Sequence, residues 1–235
     1  MPVVFSIHRP KYSMKGMRPV TPNREDYLKL ILELGGDRQK VSNKQIVAGL
    51  SVAPASVSEM LSKLVKEELV SHTAYQGVQL TASGLQTAST LIRKHRLWEV
   101  FLVEHLDYSW NEVHDDAEVL EHVTSEKLAE RLSEYLHEPR FCPHGGMIPE
   151  ANETVHEQDR KTLADYQVGD TIRIARVLDE RELLDYLVSL DIKIGDVCHI
   201  SAIAAYEGPV TITGQDGRDR AVSYKAASTI FVDQL

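Results

Sequence analysis

The stretch SNKQIVAGLSVAPASVSEMLSKLVKEELV, residues 42–70, decides the fold of the N-terminal part of the chain. Ile46, Val47 and Leu50 recur at helical spacing, and so do the apolar residues of the segment SVSEMLSKLVKEELV. Only the short segment SVAPA separates these two predicted helices. Two helices joined by so tight a turn are typical of a helix-turn-helix.

The segments on either side extend this pattern. Residues 21–36 begin with Thr-Pro-Asn, which is a helix-start signal, continue at helical spacing and end in a Gly-Gly stop. Residues 70–81 predict two short strands around Tyr75-Gln76-Gly77. A helix, a helix-turn-helix and a β-ribbon make up a winged helix-turn-helix. A small helical bundle is the alternative, and the hairpin argues against it.

The rest of the chain divides into a helical part and a strand-rich part. From residue 83 to about residue 138 the pattern is almost entirely helical, and residues 143–165 are polar and contain few apolar residues at regular spacing. From about residue 166 several short strand patterns, interrupted by one helical pattern, predict a small β-barrel of SH3-like size. Residues 1–20 show no period and are expected to form a mobile N-terminal tail.

Charge is distributed unevenly along the chain. The net charge is −9, but residues 1–80 contain 11 Lys and Arg against 7 Asp and Glu, while residues 81–235 contain 15 against 28. The mildly basic head is suited to phosphates and the acidic body to cations. No apolar run is long enough to span a membrane, and no signal peptide is recognisable, so we expect a cytoplasmic protein. Two cysteines exclude a disulfide framework.

The segment HDDAEVLEH, residues 114–122, is the densest cluster of metal-ligand residue types. Glu118, Glu121 and His122 stand at i, i+3 and i+4, which places them on one helical face. Two carboxylates and an imidazole suit a divalent transition ion. His114, one turn earlier, is at most a supporting residue, and the two aspartates are expected to be solvated. The alternative is an exposed acidic helix without a metal.

Further ligand-type residues stand elsewhere in the chain. His95 and Glu99 are spaced i, i+4 on a predicted helix, and Cys142 and His144 belong to the loop sequence CPHGG. Asp26 lies in the first turn of the first predicted helix. Phosphate-binding loops, zinc-protease motifs and nucleophile elbows do not occur, so the sequence predicts no catalytic residues and no enzyme.

Several of these motifs occur together in one order. The segments TPNREDYLKLILELGG, LTASG, RKHRLWEVFL, HDDAEVLEH and FCPHGG, together with residues 42–70, resemble the diphtheria toxin repressor and manganese transport regulator family of metal-dependent transcriptional repressors. The resemblance is greatest to the streptococcal-type manganese regulators, which carry a C-terminal SH3-like domain. It covers residues 21–235.

The resemblance implies a mainly α fold with a winged helix-turn-helix, a helical dimerisation domain and a small all-β SH3-like C-terminal domain. The implied domains are a winged helix-turn-helix DNA-binding domain (21–82), a helical dimerisation and metal-binding domain (83–145), a linker (146–165) and an SH3-like domain (166–235). Trp98 and Phe101 are candidates for dimer contacts, with the intramolecular core as an equal alternative.

Two metal sites per subunit are implied by the resemblance. Matched by motif, the ligands of the primary site are Asp26, Glu118, Glu121 and His122, with His95 adjacent. The ligands of the secondary site are Glu99, Cys142, His144 and Asp179, the last of which comes from the C-terminal domain.

The donor atoms at two of these positions bear on the choice of metal. Iron-responsive relatives have methionine in place of Asp26 and cysteine in place of Glu118, whereas this chain offers hard oxygen donors, which favour Mn²⁺. Fe²⁺ remains an alternative cofactor, and Zn²⁺ is a competitor in vitro. Lys29 replaces a ligand glutamate of the two-manganese Bacillus-type regulators, which favours separated sites.

The expected function is manganese-dependent repression. The metal-loaded homodimer is expected to bind palindromic double-stranded operator DNA and to control metal-uptake genes. The alternatives are an iron(II)-dependent repressor of the same fold, or a metal-buffering protein or metalloenzyme whose winged helix binds a protein. The candidate DNA contacts are Lys44, Pro54, Ala55, Ser56, Ser58, Lys63 and Gln76; for Lys63 a solvated helix face is the equal alternative.

Overall fold

A computed structural model of the chain describes residues 23–155 and 161–235. The expected N-terminal tail, residues 1–20, lies outside the described residues. The helices are α1 (Arg24–Glu33), α2 (Asn43–Leu50), α3 (Pro54–Lys66), α4 (Ala82–Leu106), α5 (His114–Val123), α6 (Glu126–Tyr135), α7 (Arg181–Ser189) and α8 (Tyr224–Ala227). The strands are β1 (Val70–Thr73), β2 (Gly77–Leu80), β3 (Thr171–Val177), β4 (Val197–Ile203), β5 (Val210–Gly214), β6 (Asp219–Val222) and β7 (Ile230–Gln234).

The N-terminal head consists of α1, α2, α3 and the antiparallel hairpin β1-β2. Asn23 and Ser42 cap α1 and α2 by accepting hydrogen bonds from free backbone N–H groups of the first turn. Helix α3 begins at Pro54, two residues earlier than the periodicity predicts, because a proline fits the first turn of a helix without losing a hydrogen bond. Helix, helix-turn-helix and hairpin follow in the predicted order.

Helix α4 connects the head to the body. Its residues Ala88 and Ile92 are buried in the core of the head, whereas Leu97 and Val100, further along the same helix, are buried against α6. Helix α4 also packs against α5. One continuous helix of 25 residues therefore belongs to two hydrophobic cores and orients the head relative to the body.

The C-terminal part contains a five-stranded antiparallel sheet in the order β6-β5-β4-β3-β7. Leu184 and Leu187 of α7 are fully buried against the core that this sheet encloses. The segment RAVSYKA (220–226), which resembles a single strand in sequence, divides into β6 and α8. The division occurs at Ser223, whose hydroxyl caps α8 and so favours a helix start over a longer strand.

The segment after α6 adheres to α4. Arg96 and Arg93 donate hydrogen bonds to the backbone oxygens of Met147 and Pro149. Val155 is buried in the core of the head, and its N–H donates to the Ser89 hydroxyl. Residues 146–155 of the expected linker are therefore packed on the body and the head, whereas Leu163 in its last described part is buried in the core of the C-terminal sheet. Across residues 23–155 and 161–235, no helix has both the length and the apolar character required to cross a membrane.

Candidate metal centre

Three side chains meet between the head and the body. Asp26 comes from the first turn of α1, while Glu121 and His122 are neighbours on α5. His122 Nε2 lies 2.8 Å from Asp26 Oδ1 and 3.6 Å from Glu121 Oε1. One ligand atom from each residue falls within 4.8 Å of the other two. This cluster, called the head–body cluster below, brings together three of the predicted primary ligands.

A second group is fully buried at the CPHGG loop. Glu99 of α4 faces Cys142 and His144, with Glu99 Oε1 lying 3.0 Å from His144 Nδ1. The loop requires glycine at position 145, which has φ +79° and where a Cβ atom would lie 2.0 Å from the backbone oxygen of Ala175 in β3. The loop thus fits closely against the C-terminal sheet, and its thiol and imidazole point to α4.

A third group joins α4, α5 and the segment that precedes α7. His95 Nε2 lies 3.1 Å from Glu99 Oε1 and 3.2 Å from Asp179 Oδ2. His114 Nδ1 contacts the same Asp179 oxygen. Glu99 belongs to both the second and the third group, so the two are contiguous. Asp179 is also 3.8 Å from His144 Nδ1, which places it beside the predicted secondary set.

Two residues lie elsewhere than the motif match implies. Glu118 does not join the head–body cluster; its Oε2 lies 3.1 Å from His114 Nε2, and its side chain is half-exposed. His114, expected only to support the motif, is a full member of the third group. Its i, i+4 spacing to Glu118 was a visible signal, but its contact with Asp179 crosses 65 residues and has no local sequence pattern.

The donor atoms fit a bound cation. Among the described residues, the buried side-chain oxygens Glu99 Oε2 and Asp179 Oδ1 of these groups have no hydrogen-bond partner. Such atoms are unfavourable unless a cation or water satisfies them. Carboxylate, imidazole and thiolate donors bind divalent first-row ions, so the residues present suit a transition metal.

The charges of the groups compensate one another when no metal is bound. Burial opposes the charged form of His144, but the Glu99 carboxylate raises its pKa to about 12. Burial likewise opposes protonation of His114, yet contacts with Asp179 and Glu118 raise its pKa to about 9. The hydrogen bond from His114 lowers the pKa of Glu118 to about 2. Protonated histidines therefore act as counter-ions that a metal would replace.

Lys29 contacts the head–body cluster from α1. Its ammonium nitrogen Nζ lies 2.9 and 3.2 Å from the two carboxylate oxygens of Glu121 and 3.1 Å from His95 Nδ1. Burial lowers the pKa of Lys29, but the carboxylates of Glu121, Glu33 and Glu118 together raise it above the ordinary range. The cluster thus contains a permanent cation of its own.

The candidate DNA contacts lie on the exposed side of the head. Lys44, Pro54, Ala55, Ser56, Ser58, Lys63 and Gln76 are all exposed. Lys63 forms an i, i+4 ion pair with Glu59 at 2.8 Å, and Gln76 at the hairpin accepts a hydrogen bond from Lys40. The small residues at the start of α3 leave its N-terminal end free to approach a partner closely.

Trp98 and Phe101 of α4 form an edge-to-face pair, with ring centroids 5.6 Å apart. Both are partly buried against the body core, and the Trp98 indole N–H donates to the Thr124 hydroxyl. Phe101 also contacts Tyr135, which is 58% exposed. The two aromatic residues therefore combine an intramolecular role with access to the surface, as both alternatives for them require.

Comparison with known families gives three matches along the chain. A model for the N-terminal DNA binding domain of iron dependent repressors matches residues 20–78. The model for their metal binding and dimerisation domain matches residues 81–150. A FeoA domain model matches residues 161–234. The three matches follow the same order as the winged helix, the helical body and the C-terminal sheet.

Individual relatives support these matches. The manganese regulator SloR has a TM-score of 0.82 and 42% identity, over 92% of this chain and 100% of SloR. ScaR with bound Zn²⁺ has a TM-score of 0.82 and 39% identity, over 91% and 100%. The diphtheria toxin repressor of Corynebacterium diphtheriae is 26% identical over 93% of this chain and 100% of the repressor. A probable metal transport system membrane protein of Chlamydia trachomatis is 46% identical over 86 residues, which are 19% of that protein. The matches confirm the predicted fold class.

Proposed function

This chain belongs to the diphtheria toxin repressor family of metal-dependent transcriptional repressors, and we propose that it is a manganese-dependent member. In this proposal it acts in the cytoplasm as a homodimer, binds palindromic operator DNA when loaded with metal, and controls metal-uptake genes. The proposal assigns the chain no catalytic role.

The observation that carries the proposal is the composition of the head–body cluster. Asp26 belongs to the DNA-binding head, whereas Glu121 and His122 belong to the body. A cation held by all three would add a direct link between two parts of the molecule that helix α4 and the segment around Val155 already connect. Metal binding would therefore favour one head orientation over others, which is a population shift by differential affinity.

A fixed head orientation matters because operator DNA is read by two heads at once. In a homodimer, two α3 helices must enter successive major grooves at a set separation. The small residues Ala55, Ser56 and Ser58 suit close contact with bases and phosphates, and Lys44 and Lys63 suit phosphates. Metal-free protein would bind the same DNA more weakly because its heads would less often adopt the required separation.

The donor atoms support manganese as the physiological ion. Asp26 and Glu118 offer carboxylate oxygens at two positions where iron-responsive relatives have the sulfur donors methionine and cysteine. Oxygen donors are harder than sulfur donors and suit Mn²⁺ better. The likeness to the manganese regulator SloR points in the same direction, while the zinc-bound structure of ScaR supports Zn²⁺ as an in vitro competitor. Fe²⁺ is the alternative ion within the same mechanism.

A second ion is proposed to bind at the secondary site. Its ligands would be Glu99, Cys142, His144 and Asp179. Asp179 precedes α7 in the C-terminal part, so this ion would hold that part against α4. The contiguous group with His95 and His114 offers additional donors at the same place.

A gel shift with DNA from the region upstream of the gene that encodes this chain tests the proposal. Wild-type protein is measured with Mn²⁺ and then with excess chelator, and Asp26→Asn is compared with Asp115→Asn. Asp26→Asn keeps an oxygen for the α1 cap but removes an anionic ligand, so we expect at least a tenfold loss of Mn²⁺-stimulated DNA affinity. Asp115, an exposed residue of α5 that pairs with Arg181, should leave the stimulation unchanged.

Two results would contradict the proposal. Equal DNA affinity of the wild type with Mn²⁺ and with chelator would rule out a metal-dependent switch. Tight Mn²⁺ binding without any effect on DNA binding would favour a metal-buffering protein instead. Size-exclusion chromatography of both variants checks that the dimer survives, so that a loss of DNA binding is assigned to the switch.

A further inference from the structure

Lys29 is a charged residue at a buried position inside the candidate metal centre. Only 8% of its surface is exposed, and it is one of the buried residues of α1. A lysine in such a position is rare unless its ammonium group is paired. Its partner is Glu121, which is fully buried and accepts hydrogen bonds from Lys29 at both carboxylate oxygens.

Glu121 is also one of the three donors of the head–body cluster. A metal held by Asp26, Glu121 and His122 would therefore need a carboxylate whose two oxygens are already hydrogen-bonded to an ammonium group. Lys29 and the metal are both cations, and they would lie within a few ångströms of each other in a region shielded from water, where charges interact strongly. The same carboxylate cannot satisfy both fully.

Resting on the proposed function, we propose that the Lys29 ammonium group competes with the metal ion for the Glu121 carboxylate. This competition sets the metal concentration at which the head–body cluster fills. Without metal, the ammonium group neutralises Glu121 and makes the empty site stable. With a metal ion bound, Lys29 would give up at least one of the two Glu121 oxygens that it contacts here, and its positive charge would oppose that of the ion.

This role differs from that of a ligand. A ligand discriminates between metals by the softness and geometry of its donor atom. A competing ammonium group opposes every divalent cation through charge alone. Neutralising Lys29 should therefore tighten the binding of different divalent ions by similar factors and leave the ratio of their affinities unchanged.

A simpler role for Lys29 is a structural ion pair between α1 and α5. In that case its loss would destabilise the metal-free protein, because the buried Glu121 carboxylate would keep only its contacts with His95 and His122, but the metal would gain no advantage at the site. Metal affinity separates the two roles, since stability falls in both.

The test compares Lys29→Met, which preserves the length of the side chain without charge, with Lys29→Arg, which preserves the charge. Both are made in a Cys142→Ser background, so that the titration reports mainly on the head–body cluster. Mn²⁺ and Zn²⁺ affinities are measured by competition with a fluorescent chelator. We expect Lys29→Met to bind both ions at least tenfold more tightly than the parent, and Lys29→Arg to differ from the parent less than threefold.

If Lys29→Met is unfolded without metal, Lys29→Gln replaces it, and Mn²⁺ should then raise the melting temperature of this variant by more than that of the parent. Unchanged or weaker Mn²⁺ affinity in the folded neutral variants would overturn the role of Lys29, and so would tightening confined to one of the two ions. Neither result contradicts the proposed function. That function would be contradicted only if the DNA affinity of the wild type did not depend on Mn²⁺.

Discussion

At the scale of single residues, His95 is the side chain that connects the clusters. Its Nδ1 contacts Glu121 of the head–body cluster, and its Nε2 contacts Glu99 and Asp179 of the group beside the CPHGG loop. Burial and the Lys29 ammonium oppose its charged form, but the surrounding carboxylates of Glu99, Glu121 and Asp179 together hold its pKa well above the usual range. A metal ion at the head–body cluster or at the group beside the CPHGG loop would change the partners of the His95 imidazole. His95 therefore links the two sites.

The raised pKa of His114 predicts a pH-dependent stability of the metal-free protein. A group whose pKa rises from 6.5 in the unfolded chain to about 9 in the folded protein stabilises the fold fully below about pH 6.5. This contribution falls as the pH increases and is lost by about pH 9. Urea unfolding in chelator at pH 6, 7.5 and 9 measures it.

His114→Asn is the matched variant for this experiment. Without His114, the folded protein should bind up to one proton fewer between pH 6.5 and 9. The pH slope of the unfolding free energy should therefore become shallower by up to about 1.4 kcal/mol per pH unit. Above pH 9 the slopes of variant and wild type should converge. An identical slope in both proteins between pH 6.5 and 9 would contradict the assignment to His114.

At the scale of elements, the junction between the hairpin and α4 determines how the head meets the body. Thr81 caps α4, its own N–H donates to the backbone oxygen of Leu69, just before the hairpin, and its hydroxyl donates to the backbone oxygen of Glu68. Gly84 lies in the first turn of α4, directly against Leu69. This contact is possible because glycine has no Cβ atom.

Replacing Gly84 is therefore expected to be costly. A Cβ atom at this position would lie 1.9 Å from the backbone oxygen of Leu69, which cannot move without disturbing the hairpin. We expect Gly84→Val to lower the free energy of unfolding by about 3 kcal/mol through overpacking. Ser83→Val, at the exposed neighbouring position, is the control for the lower helix propensity of valine. Similar losses for both variants in urea unfolding would argue against the steric explanation.

At the scale of the whole molecule, three contacts join the parts that the sequence separates. Arg181 of α7 pairs with Asp115 of α5 at 3.2 Å, and Asn111 donates to Asp185 of α7. Both contacts are exposed and contribute little to stability on their own. The third contact is the buried Val155, which attaches the segment after α6 to the head. The two exposed contacts and the contacts of Asp179 with His95 and His114 place the C-terminal part beside α4 and α5.

Val155 offers a test of this attachment. Val155→Ala removes two methyl groups from the core of the head, so we expect the unfolding free energy to fall by about 2 kcal/mol. Hydrogen exchange at the α4 amides near Ser89 should become faster as well. Glu153→Ala, on the exposed part of the same segment, is the control. A loss below about 0.5 kcal/mol for Val155→Ala would indicate that the segment does not hold the head.

The order of the elements and the residue types of the site follow from local features of the chain. Helical spacing, caps and turn residues are local, so the winged helix around residues 42–70 and the long helix α4 could be predicted, and the donors of HDDAEVLEH stood within three turns. The contacts between these donors, in contrast, depend on how the elements pack together. Glu118 contacts His114 rather than Asp26, and His114 in turn contacts Asp179. The Lys29 ammonium group forms an ion pair with the Glu121 carboxylate. These contacts join α1, α4, α5 and the segment before α7, and no local periodicity encodes a contact between elements that lie tens of residues apart.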